Sequence, residues 1–192
     1  MKRFIVASAS PRRKEILLSS GYDFEVIPSD ADESISEKLT PSETVLELSK
    51  RKAVSVSEKH PGDVVFGCDT VVALGDKILG KPRNDEEAAE MLKMLSGKTH
   101  EVLTGVCITD GESIQNFFER TEVTFYELSD ETVKTYVQSG ECRDKAGAYG
   151  IQGLGCVLVK EIKGDYFSVV GLPIAKTARL LSKFGIHGKI KV

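Results

Sequence analysis

A short buried-strand run, Arg3-Phe4-Ile5-Val6-Ala7, breaks directly into Ser8-Ala9-Ser10-Pro11-Arg12-Arg13, and this junction constrains the fold more than any other segment. Ser10 suits a helix N-cap, and Pro11 suits the first helical position, where its missing N–H does no harm. Ile16 and Leu17 give that helix an apolar stripe, and Gly21 gives it a stop. The chain therefore begins as a strand feeding a helix. Such a helix opens with unsatisfied N–H groups and the positive end of its dipole, where carboxylates are normally placed. Here two arginines stand instead, and their guanidinium forks suit a bound phosphate. Either arginine alone is equally compatible with a solvated first turn. The full strand–Ser-x-Ser-Pro-Arg-Arg–helix arrangement points to an anion site.

The same alternation continues along the chain. Phe24–Ile27 reads as a second strand and leads into an acidic loop, Ser29-Asp30-Ala31-Asp32-Glu33. Thr40-Pro41-Ser42-Glu43 is a capping box, opening a helix with Val45, Leu48 and Val56 on one face. Lys52 shares that apolar stripe, so it either snorkels to the rim or points into a polar cleft. Val64-Val65-Phe66 reads as a strand buried on both faces. Gly67-Cys68-Asp69-Thr70 is expected at its end, where α/β proteins gather ligand groups. Gly75-Asp76 marks a hairpin turn between Val71–Leu74 and Lys77–Leu79. Asn84 caps a helix through Ala88, Met91, Leu92 and Leu95. Strands around Glu101–Thr109 and Ile114–Tyr126 meet at Asp110-Gly111, and Ser129 caps a helix with Val133, Tyr136 and Val137.

The glycine-rich stretch from Asp144 to Gly155 permits unusual dihedrals and close backbone approach to a ligand. It matches neither a P-loop nor a dinucleotide fingerprint. Cys156–Ile162, a Lys163-Gly164 turn and Tyr166–Val170 are expected to form a last hairpin before a terminal helix, Pro173–Phe184. Interleaved helices and hairpin-paired strands predict an α/β fold with a mixed sheet, in a single domain spanning residues 1–192.

Charge and cysteine usage remove several function classes. A net charge of -3 disfavours a general binder of nucleic-acid backbone, so local basic residues serve local purposes. No apolar run suits a signal-peptide core or a membrane span, which predicts a cytoplasmic protein with no membrane partner. Cys68, Cys107, Cys142 and Cys156 form no C-x-x-C pair, and His60, His100 and His187 have no metal-ligand spacing.

The polar groups that local structure leaves unexplained are Arg12, Arg13, Glu33, Lys52, Asp69, Lys81, Lys145 and Gln152. Cations suit a polyphosphate, whose charge grows on its oxygens during P–O cleavage. Carboxylates hold a divalent cation or deprotonate a water. Gln152 and Thr70 offer neutral donors and acceptors suited to a base edge. The set is consistent with nucleotide hydrolysis, although ion-paired surface residues would give the same set.

Ser8–Arg13, Gly67–Thr70, Gly80-Lys81-Pro82, Asp144–Gly153 and Ser168–Pro173 together make the chain resemble the Maf family of nucleotide pyrophosphatases, from about residue 3 to residue 184. The resemblance implies a fold akin to the inosine triphosphate pyrophosphatases, an elongated mixed sheet with two α/β lobes around a central cleft. It implies cleavage between the α and β phosphates with a divalent metal, Mg²⁺, Mn²⁺ or Co²⁺, and a homodimer. By resemblance Asp69 is the general base, Glu33 assists the metal beside it, and Arg12, Arg13, Lys52, Lys81 and Lys145 bind phosphates. Lys52 and Lys81 thereby join Asp69 and Glu33 in the catalytic set. Ser8 and Ser10 contribute contacts near the phosphates or serve only as caps. Thr70 after the aspartate and the Gly150-Ile-Gln-Gly153 loop are similar to the branch acting on dTTP and UTP, with Arg12, Thr70 and Gln152 selecting a pyrimidine, 5-modified forms included. The 7-methyl-GTP branch carries Gln after the aspartate and lacks that loop. Cys68 departs from the alanine common in the family.

Two rival readings belong to other classes. The resemblance also carries a link to arrest of septum formation, which would make the chain a regulatory protein of cell division. A single-stranded RNA binder would need aromatic platforms, and aromatic residues are only 7% of the chain.

Overall fold

The computed structural model describes residues 2–35 and 39–192. In chain order the elements are β1 (Phe4–Val6), α1 (Pro11–Ser19), β2 (Glu25–Val26), α2 (Pro41–Ser57), β3 (Val64–Leu74), β4 (Lys77–Leu79) and α3 (Asp85–Leu95). They continue as β5 (Thr99–Thr109), β6 (Ile114–Phe125), α4 (Asp130–Gln138), β7 (Val159–Lys163), α5 (Tyr166–Val170) and α6 (Ile174–Lys183). Short 3-10 turns cover Ala146–Ala148 and Gly153–Leu158. The fold is mixed α/β, as the sequence predicts: a seven-stranded sheet in the order β2-β1-β3-β5-β6-β7, with β4 also paired to β3. β1 runs parallel to β2 and β3, whereas β4 and β7 pair antiparallel to β3 and β6. No helix among the described residues is long and apolar enough to cross a membrane.

The chain divides into two compact units, one of residues 1–69, 104–119 and 171–192, the other of residues 70–103 and 120–170. In the first, Ile5, Ala7, Val65 and Cys107 pack against Ala53 and Val56 of α2. The helix lies close to the sheet because glycines stand beneath it. A Cβ added at Gly67 would meet Ser49 O at 2.3 Å and Ala53 N at 2.6 Å; one at Gly105 would meet Val45 O at 2.2 Å. α2 starts at a complete capping box, in which Glu43 N donates to Thr40 Oγ1 and Thr40 N donates to Glu43 Oε2.

The second unit is built around a cluster that includes Val72, Leu79, Leu92, Leu95, Phe125, Tyr136 and Tyr149. His100 lies edge-on to Phe125 and Tyr149, with ring centroids 4.9 and 5.3 Å away, and its Nε2 is 2.7 Å from the Tyr149 hydroxyl. Its Nδ1 is buried with no hydrogen-bond partner among the described residues. Burial lowers His100 to about 4, so it folds neutral. Unfolded, the imidazole binds a proton below about pH 6.5. The stability it contributes is therefore complete above that value and lost as pH falls toward 4. By pH 5 the loss reaches about 2 kcal/mol. Denaturant titrations of the wild type and of His100→Gln, which cannot titrate at this position, are expected to show stability losses between pH 7 and pH 5 that differ by this amount. Equal losses would mean that His100 binds its proton as readily in the fold as in the unfolded chain.

Three local expectations are corrected. Ser10 occupies the N-cap of α1, but its side chain makes no capping bond; its N–H donates instead to Ser8 Oγ at 3.4 Å. Gly67-Cys68-Asp69-Thr70 lies inside β3 rather than at its end, because the strand runs on to Leu74 and pairs there with β4. The last hairpin does not form. Cys156–Leu158 is 3-10, only Val159–Lys163 is a strand, and Tyr166–Val170 is a helical turn. Its cause is Asp165, whose Oδ1 accepts from Phe167 N at 2.7 Å and Ser168 N at 3.3 Å, overriding the β-propensity of the run.

Candidate active site

The first unit assembles a charged cluster around Lys52. The Lys52 side chain, 13% exposed, leaves the apolar stripe of α2 and donates from Nζ to Asp69 Oδ1 on β3 at 2.7 Å. The same ammonium pairs with Glu33 Oε1 at 3.1 Å. It points into the polar site and does not snorkel.

Glu33 reaches Lys52 because the acidic loop is strapped along α2. Ser29 Oγ lies 2.8 Å from Ser55 Oγ, Lys59 pairs with Asp30, and Arg51 Nη1 donates to the carbonyls of Asp32 and Ser34. Asp30 and Asp32 are thereby turned elsewhere. The Lys59 hydrogen bond holds the Asp30 carboxyl below its usual range, and Ser34 does the same for Asp32. Arg51 has little prominence in the sequence. Its only signal is the Glu47–Arg51 pair one helical turn apart, which the structure closes at 2.7 Å.

A second group forms at the start of α1. Arg13 Nη1 donates to Ser8 Oγ at 3.0 Å, and Arg13 Nε donates to Gly171 O at 2.9 Å. The Cys68 thiol donates to the same carbonyl at 3.4 Å. Burial pushes Cys68 up to about 11, so it stays a neutral donor directly before Asp69. Gly171 therefore anchors both the arginine and the Cys68–Asp69 segment. A backbone carbonyl carries no sequence signal of its own; only the Ser168–Pro173 motif marked it. Arg12 is half-buried on the first turn of α1.

The other candidates belong to the second unit. Thr70 is half-buried in β3, and Lys81 is exposed beyond β4. Gly147 N donates to Gly80 O at 3.0 Å, which ties the Gly80-Lys81-Pro82 segment to the glycine loop. Lys145 Nζ donates to Glu141 O at 2.5 Å and to Asp144 Oδ1 at 2.6 Å. Gln152 is exposed in extended backbone.

Two carboxylates on one ammonium make a site rich in anionic oxygen. That donor set fits a hard divalent cation that keeps much of its water and takes further ligands from phosphates. No group of three or more His, Cys, Asp or Glu positioned for a metal occurs among the described residues.

Residues 3–184 match the family described as Maf-like protein. The "dTTP/UTP pyrophosphatase" of Bacillus cereus (strain G9842) is 52% identical over 186 residues, 97% of each chain. That of Bacillus mycoides (strain KBAB4), with the same description, is 52% identical over 184 residues, 96% of each chain. Among solved structures, that of the Staphylococcus aureus Ham1 protein is similar at 16% identity and a TM-score of 0.45, covering 80% of this chain and 78% of that one.

Proposed function

The chain belongs to the Maf family, and on that premise we propose that it is a nucleoside triphosphate pyrophosphatase converting dTTP and UTP to the monophosphate and pyrophosphate. Relatives with half of their residues in common over nearly the whole chain bear that description. The single structural observation that carries the chemistry is the Lys52 ammonium, 2.7 Å from Asp69 and 3.1 Å from Glu33.

Asp69 is the general base. Its Oδ1 is fixed by Lys52, so the carboxylate has one orientation when it takes the proton of the attacking water. The new bond joins that water's oxygen to phosphorus, the bridging P–O bond between the α and β phosphates breaks, and pyrophosphate leaves. Glu33 and Asp69 would hold a divalent cation, Mg²⁺, Mn²⁺ or Co²⁺, which when bound neutralises charge on the phosphate oxygens. Arg12, Arg13, Lys81 and Lys145 bind phosphate oxygens, with Ser8 and Ser10 contributing at the opening of α1. Ser8 acts partly through Arg13, which it holds. Thr70 and Gln152, with Arg12, read the pyrimidine. A site that hydrogen-bonds the base edge rejects mismatched bases strongly and a 5-methyl difference weakly, so dTTP, UTP and 5-modified relatives are all substrates. The family resemblance adds a homodimer to this reading.

Incubation with a panel of nucleoside triphosphates and a divalent metal, with products resolved by chromatography, tests the proposal. Conversion of dTTP and UTP to monophosphate and pyrophosphate is the expected result. Diphosphate with orthophosphate would overturn the cleavage site, and a preference for 7-methyl-GTP would overturn the roles of Thr70 and Gln152. A folded protein that turns over none of them would favour the cell-division reading.

A further inference from the structure

The Gly150–Leu154 segment, which presents Gln152, is fastened at both ends by α4 and the turn that follows it. At one end Gly150 N donates to the Tyr136 hydroxyl at 3.1 Å. At the other, Leu154 N donates to both oxygens of the Glu141 carboxylate, at 3.1 and 3.0 Å. Tyr136 is buried in the core of the second unit, and burial raises its hydroxyl to about 12, so it remains a neutral partner at any working pH. A Cβ at Gly155 would fall 2.0 Å from Gly150 O and 2.9 Å from the Tyr136 hydroxyl, so the two ends of the loop close against each other over that hydroxyl. Gln152 stands between the fastenings, exposed and without a capping bond from its side chain.

We infer that Tyr136 and Glu141 are positioning residues for base selection, fixing the backbone from which Gln152 reads the pyrimidine. The inference rests on the base-reading role of Gln152 proposed above. An exposed glutamine on an unfastened glycine-rich loop samples many orientations and would turn its amide, donor or acceptor, to suit either pyrimidine edge. Fastening its backbone on both sides limits those orientations before the nucleotide arrives, so discrimination between bases is gained. Glu141 has a separate task through its main chain, since its carbonyl accepts from Lys145 Nζ. Side-chain substitution leaves that carbonyl in place. Base reading and phosphate handling by the same turn can therefore be separated.

The readout is the ratio of kcat/KM for dTTP to that for dCTP, with the inhibition constant of pyrophosphate as the control for the phosphate end. Glu141→Ala and Tyr136→Phe are each expected to lower the ratio about tenfold, mainly through KM for dTTP, with the pyrophosphate constant unchanged. Glu141→Gln keeps a side-chain acceptor for Leu154 N and is expected to retain most of the ratio. A general loosening of the unit would instead move the pyrophosphate constant along with the ratio, and that result overturns the inference. Gln152→Ala separates the two levels. If it lowers the ratio while Glu141→Ala and Tyr136→Phe do not, the positioning role fails and base reading by Gln152 stands. If it leaves the ratio unchanged, Gln152 does not read the base and the inference falls with that role.

Discussion

Asp69→Asn is expected to lower kcat/KM for dTTP and UTP by about a thousandfold, within the range that a positioned general base supplies. The amide has the shape of the carboxylate, and its oxygen still accepts from Lys52 Nζ, the contact that is 2.7 Å long in the wild type. What it lacks is the capacity to take a proton from water and the negative charge that would help Glu33 hold a divalent cation, so the comparison is made at saturating metal. The loss should therefore fall on kcat, with dTTP still bound and the thermal unfolding midpoint little changed. Lys52→Met is the informative companion. It leaves Asp69 beside Glu33 without the cation between them, so it should impair both turnover and folding, where Asp69→Asn impairs only turnover. Steady-state kinetics, a binding isotherm for dTTP and a melting curve on each variant check these statements together. Asp69→Asn retaining a tenth of wild-type kcat would remove Asp69 from the role of base.

What could be seen in the sequence was whatever local chemistry decides. The caps at Thr40, Asn84 and Ser129 were legible because each is closed by a partner three residues along the chain, and all of them form. The direction taken by Lys52 was not. Its place on an apolar stripe allowed snorkelling, and the carboxylates that draw it inward come from β3 and from the loop strapped to α2. The polar Gly67–Thr70 segment looked like the end of a strand because nothing local continues it. β3 is extended by its pairing with β4, from Val72↔Leu79 to Leu74↔Lys77. Tyr166–Val170 departs from its pattern for the opposite reason: a good β pattern yields to one aspartate cap, itself held where Thr121 Oγ1 accepts from Asp165 N and donates to Asp165 O. Gly171 and Glu141 act through a carbonyl and a loop contact respectively, and neither has a periodicity or spacing to read.

The glycine of the Gly67–Thr70 motif has a packing role as demanding as the chemistry beside it. Gly67→Ala is expected to cost about 3 kcal/mol of stability, the upper part of the usual range for overpacking. The clash is with Ser49 O and Ala53 N, backbone atoms of α2 that no rotamer change can withdraw. Relief requires the helix to lift from β3 at Ala53, the neighbour of Lys52. The Lys52–Asp69 contact should lengthen with it, so the fraction of enzyme that still folds should also turn over more slowly. Gly105→Ala supplies the comparison. Its Cβ would strike Val45 O at 2.2 Å, on the same helix but about two turns before Lys52. A comparable loss of stability is expected there, with much less loss of activity per folded molecule. Urea titrations give the two stabilities, and assays at a temperature where both variants are folded give the two activities. Equal activity losses would mean that α2 shifts as a rigid rod, whereas a loss confined to Gly67→Ala would show that close contact at this one glycine sets the spacing of the Lys52–Asp69 pair.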